Sequence, residues 1–269
     1  MSKLITQEMA IVIAVPVENP TILNEVFLKQ AGIIPIDWQL EREPVYSDRV
    51  AQIMFTNGLS IVAQPDRLMF LEMVGYKSIR QSRGYTNETL HAGEVAQKYV
   101  ATLKMADYRS IGINFRSYAP QNSPDAAAAY INNELLAGGN WQQYNRSQVR
   151  ASVNLNYDLG DRQLNLAIDA ATIQFPTPLP HPAVVFSGTF SYDTTANSGD
   201  RVAKITAIIS NWQQELNEFN SFIAVGVAAP LENRLLSTTS DLPESVKPVV
   251  NDIKIVDAPA LPPLLLNYN

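Results

Sequence analysis

Hydrophobic and polar positions are most informative between Leu59 and Met73, where two β-rich runs flank Gln64-Pro65-Asp66-Arg67. Proline at the second turn position presets φ, and the Asp beside it suits a tight reversal, so the stretch reads as a hairpin. In its second run Met69, Leu71 and Met73 leave one face while Leu68 and Phe70 leave the other. Only Glu72 interrupts the apolar pattern. A strand buried on one face shows polar residues at every second position. This run is therefore predicted to be central, with a layer against each face.

The rest of the first half is organised around that hairpin. Met9 to Val17 reads as a buried strand: it is too short to span a bilayer, Pro16 interrupts it, and Glu8 and Glu18 flank it. Asn19-Pro20 sets up a helix whose stripe is Ile22, Leu23, Val26, Phe27 and Ala31, ended by Gly32. Ile34 to Leu40 and Val50 to Phe55 read as strands, and Asn57-Gly58 is a strong hairpin signal. The segment 74–90 reads as a loop. From His91 a helix runs to about Ala106, burying Ala92, Val95, Ala96, Tyr99, Val100 and Leu103.

The order then starts again. Tyr108 to Tyr118 is a strand, Ser123-Pro124-Asp125 opens a helix through Leu136, and Gly138-Gly139 closes it. Val149 to Tyr157 and Gln163 to Ile173 form a hairpin about Gly160-Asp161, followed by a strand from Ala183 to Tyr192. A helix opens at Gly199-Asp200 and runs to about Phe222. Hairpins followed by helices favour a mostly antiparallel sheet, so the fold class expected is α+β. Repetition of a β-α-β-β-β-(β)-α unit predicts a tandem duplication, with halves at 1–107 and 108–227. The alternative is a single α+β domain with one long antiparallel sheet. The remainder, 228–269, is rich in Pro and Leu; with Ile253, Ile255, Val256 and Leu264-Leu265-Leu266 it is too apolar for a solvated linker. It is expected to dock on the body or on a second copy.

The run Gly58-Leu-Ser-Ile-Val-Ala-Gln-Pro-Asp-Arg-Leu-Met-Phe70, a following amphipathic helix, and Ser110-Ile-Gly-Ile-Asn-Phe-Arg116 resemble a sporadically distributed bacterial family of similar length. That family has no assigned activity. The resemblance implies the layout of the central hairpin, helix and next strand, and no catalytic residues.

Composition narrows the function classes. The 269 residues can bury a substantial core, and only 17% of them are charged, as expected if a partner covers some surface. The net charge of −6, with Lys and Arg scattered, offers no footprint for nucleic acid. The absence of Cys excludes disulfides, thiolate metal sites and Cys nucleophiles, and fits a reducing cytoplasm.

Candidate chemistry is sparse. His91 and His181, the two histidines, cannot alone complete a typical zinc site. Glycine patterns of nucleotide-binding loops and a Gly-x-Ser-x-Gly elbow do not occur. Asp37, Glu41 and Glu43 near Trp38 can do acid–base work, although carboxylates in a loop-rich stretch are commonly just solvated. Arg67 with Lys77, Arg80 and Arg83 is the densest basic cluster and can hold a phosphate or an acidic partner; a solvated loop is the plainer reading. Phe175 to Pro182 can be a polyproline recognition stretch or a rigid connection.

The sequence thus leads us to expect a cytoplasmic, non-catalytic protein-binding or assembly component, without cofactor or metal. Its expected partner is another protein or a second copy, with neither nucleic acid nor membrane. The competing expectation is an enzyme or small-ligand-binding protein with a carboxylate and arginine site in a cleft between the halves. Binding residues named on either reading are Arg67, Lys77, Arg80, Arg83, Asp37 and Trp38.

Overall fold

A computed structural model describes residues 4–16, 20–74, 90–144, 147–173, 180–194 and 200–227. The tail at 228–269, the basic positions Lys77, Arg80 and Arg83, and most of the Phe175 to Pro182 stretch lie outside the described residues.

The first half runs β1 (Ile5–Ala14), α1 (Glu25–Gln30), β2 (Val45–Tyr46), β3 (Ala51–Met54), β4 (Leu59–Gln64), β5 (Arg67–Met73) and α2 (Ala92–Thr102). The second runs β6 (Ser110–Pro120), α3 (Pro124–Tyr130), the small hairpin β7 (Gln143–Tyr144) and β8 (Ser147–Gln148), then β9 (Val153–Asp158), β10 (Gln163–Ile173), β11 (His181–Asp193), α4 (Arg201–Ser210) and α5 (Trp212–Phe222). The fold is α+β. One nine-stranded sheet passes through both halves in the order β2-β3-β4-β5-β1-β6-β11-β10-β9. Every pairing in it is antiparallel.

Local chemistry sets the element ends. Asn24, rather than Asn19-Pro20, caps α1, its Oδ1 accepting from the Phe27 N–H at 2.9 Å. Gly58 takes φ +93 in the turn before β4, a conformation that favours glycine. Ser123 caps α3 and Asp200 caps α4. The expected single helix from 200 to 222 is two, broken at Asn211. Ile34 to Leu40 forms no strand; Leu40 alone bridges to Phe55. Ile34, Trp38 and Leu40 of that stretch pack against the core, while Ile36 is exposed.

Cross-strand register separates the two faces. Ile11 pairs with Phe70 on one side and Ile113 on the other, and all three are buried in the main core. The same core holds Val95, Ala96 and Tyr99 of α2, Ala127 and Tyr130 of α3, Ile205 and Ile209 of α4, and Phe219 of α5. The helices therefore cover one face of the sheet. Burying so many Leu, Ile and Phe side chains at about 1.5–3 kcal/mol each is the main force holding the layers together.

The second face carries no helix or strand among the described residues. β5 is central, as its two apolar faces predict, and among the described residues a layer packs on only one of them. Glu72, the exception in its pattern, lies on the helix side and is buried.

Candidate protein-binding face

On the helix-free face, residues in register form rows across the sheet. One row runs Gln52, Val62, Met69, Val12, Gly112, Ser191, Gln163 and Asp158. The next runs Met54, Ser60, Leu71, Ala10, Asn114, Thr189, Asn165 and Asn156. Each row is largely apolar in the first half and polar in the second. Met54, Met69, Leu71 and Val12 are half-buried, while Val62 is 9% and Ala10 6% exposed. No charged side chain stands among them; Arg67 borders them at one end, and at the other Glu8 pairs across with the exposed Arg116. Burial raises the Glu8 pKa, against the lowering pull of Arg116.

A one-residue shift in β1 between Thr6 and Glu8 changes which side chains reach this face. It brings Ile5 up beside Tyr118. Tyr118, Ile173, Ala183 and Val185 form a small apolar cluster there, separate from the main core, with Ile5 packed against it.

The boundary between the halves is a pair of strands. β1 and β6 are paired from Ile5 and Tyr118 to Ala14 and Ser110, with the one shift between Thr6 and Glu8. Above them α2 and α4 touch, the Gln97 amide donating to Ser210 Oγ at 2.6 Å and to the Thr206 carbonyl at 3.3 Å. An open depression of about 450 Å³ beside this contact is lined by Lys104, Asp200, Val202 and Thr206.

Polar chemistry concentrates elsewhere, under α5. The Tyr192 hydroxyl donates to Glu215 Oε1, and Arg162 reaches Glu215 Oε2 at 3.4 Å and Glu218 Oε2 at 2.5 Å. Burial raises the pKa of Glu215, which Tyr192 and Arg162 pull down. Burial, then the bond to Glu215, also pushes the Tyr192 hydroxyl up. The sequence reading missed this cluster, because its members come from a turn, a strand and a helix. A Tyr and a Glu at positions otherwise inward-facing were the available signal.

Of the residues named from sequence, the three that are described, Arg67, Asp37 and Trp38, form no single site. Arg67 opens β5 just after the turn, held by its neighbour Asp66 at 2.6 Å, which lowers the Asp66 pKa through that hydrogen bond. Asp37 is exposed, while Trp38 packs edge-on against Phe55 and His91, with ring centroids 5.4 Å and 5.3 Å away. Trp38 thus fills the margin of the core. His91 stands at the start of α2, and His181 lies 5.5 Å from the Tyr118 ring. Among the described residues no group of three or more His, Asp or Glu could hold a metal ion. Nor is any helix among them long and apolar enough to cross a membrane.

No family model matches this chain, and no curated protein matches it significantly.

Proposed function

We propose that this protein is a non-catalytic protein-binding or assembly component that uses the helix-free face over β3, β4, β5 and β1. The observation that carries this reading is the side-by-side placement of Met54, Val62, Met69, Leu71 and Val12 with no charge between them. Contiguous apolar surface of this kind, rimmed by polar residues, marks interaction sites on soluble proteins. Methionines suit the role, since their flexible thioethers adapt to a partner's shape. The rim is present: Gln52, Gln64 and Arg67 lie toward one edge, and Asn114 and Arg116 toward the other. A cytoplasmic setting accords with the absence of Cys.

We also infer that the halves arose from one β-α-β-β-β-α unit. The order β1-β5-β4-β3 in the first half recurs as β6-β11-β10-β9 in the second. A helix follows the first and the last strand of each. Phe70 pairs with Ile11 as Phe190 pairs with Ile113, and the two isoleucines pair with each other.

A cleft between the halves, which the enzyme or small-ligand reading requires, has less support than the apolar face. The test is affinity capture with the tagged protein, wild type against Met69→Glu/Leu71→Glu, read by mass spectrometry. Loss of a specific partner from the variant, at unchanged melting temperature, is expected. Retention of the same partners by the variant would exclude this face.

A further inference from the structure

We infer that the outer edge of β9 is a contact site for a second copy of this chain, joined by antiparallel pairing of β9 with β9. This rests on the assembly reading above but uses a different surface. β9 ends the sheet, with β10 on one side and no strand on the other among the described residues. The opposite edge is blunted, because β2 has only two residues and turns straight back through the Ser47 N–H to Val50 carbonyl bond. Among the described residues β9 has few of the usual protections, its one charge being Asp158 at the end. It contains no Pro and no Lys, has no bulge against β10, and alternates half-buried Val153, Leu155 and Tyr157 with exposed Asn154, Asn156 and Asp158.

Hydrogen-bond direction makes this edge available. The Leu159 N–H donates to the Arg162 carbonyl at 2.9 Å, so those two residues form a hydrogen-bonded pair. Such pairs alternate along an antiparallel ladder, which turns Tyr157, Leu155 and Val153 toward β10. The N–H and C=O groups of Asn154, Asn156 and Asp158 then point outward.

The strand is complementary to itself. With the two-fold axis at Leu155, Asn154 faces Asn156 of the second copy, Val153 faces Tyr157, and Ser152 faces Asp158. Apolar side chains stay on the helix side and asparagines on the other, continuing the faces of the sheet. The single charge in β9, Asp158, meets no like charge, and Arg150 of the second copy lies diagonally beside it. Moving the axis to Asn156 would instead set Asn154 against Asp158 and lose that complement. An unrelated extended peptide would share the backbone bonds but not this match of residues and charges.

The test is the mass of the full chain by size-exclusion with light scattering. The wild type should run at twice 29.7 kDa. Asn156→Pro removes an outward N–H without touching the ladder to β10, and should halve the mass while keeping the melting temperature. Should that variant fail to fold, Asn154→Lys/Asn156→Lys sets lysines opposite lysines and should halve the mass too. A wild-type monomer, or a dimer that survives these substitutions, would overturn the inference. Met69→Glu/Leu71→Glu should leave the dimer intact, so loss of a partner from the apolar face and loss of the edge contact are read separately.

Discussion

The Glu72 carboxylate, at the end of β5, accepts the Ala92 N–H at 2.7 Å and the His91 N–H at 2.5 Å. A strand residue thus caps a helix that begins twenty positions later, meeting both the unpaired amides and the positive end of the helix dipole. It explains why an acid stands where the pattern calls for an apolar side chain. Glu72→Ala should cost about 1–2 kcal/mol, the range for a lost cap, and Glu72→Gln less, because an acceptor remains. Urea titrations of both variants measure this, and equal losses would assign the effect to charge alone.

Phe70 is fully buried on β5, with its ring 5.6 Å from that of Tyr99 on α2. Phe70→Ala should therefore cost about 3–5 kcal/mol, as large aromatic truncations in cores do. A loss below about 1 kcal/mol in denaturant melts would contradict its place between sheet and helix.

Gly188 in β11 is a point of close approach. A Cβ there would lie 2.6 Å from Cδ2 of Phe219, whose ring is buried and lies 5.8 Å from that of Phe115. Gly188→Ala should destabilise the protein by about 1–3 kcal/mol through overpacking. Phe219→Leu in the same chain should recover part of that loss, which a double-mutant cycle reads directly. Additive losses would mean that the two side chains do not compete for space.

Glu215 gives the pH dependence a sign. Its folded pKa is raised above the unfolded value, chiefly by burial, so its contribution to stability is full below the unfolded value and is lost as pH rises through the folded one. Relative to Glu215→Gln, the wild type should therefore gain stability as pH falls from 7 towards 4. Gln keeps an acceptor for the Tyr192 hydroxyl, so the comparison isolates the titration. A difference between the two proteins that stays constant over that range would show that burial does not dominate at Glu215.

The sequence by itself determined most of the elements and which side of each is apolar, though not the loop at 34–40 or the break at Asn211. Alternation in Ile111, Ile113 and Phe115, the turn at Pro65-Asp66, and the caps at Ser123 and Asp200 are local, and local sterics and hydrogen bonding fix them. The apolar content of both faces of β5 was equally legible, and its central place follows from it. What lies against each face was not, because a half-buried methionine under solvent and one under a helix have the same side chain. Only the tertiary structure decided that the described helices share one face, that β1 and β6 join the halves into a continuous sheet, and that Glu72 meets Ala92. It alone brought Arg162, Tyr192 and Glu215 together. Those contacts join residues far apart in the chain, and the pairing of strands, which no local periodicity encodes, sets them.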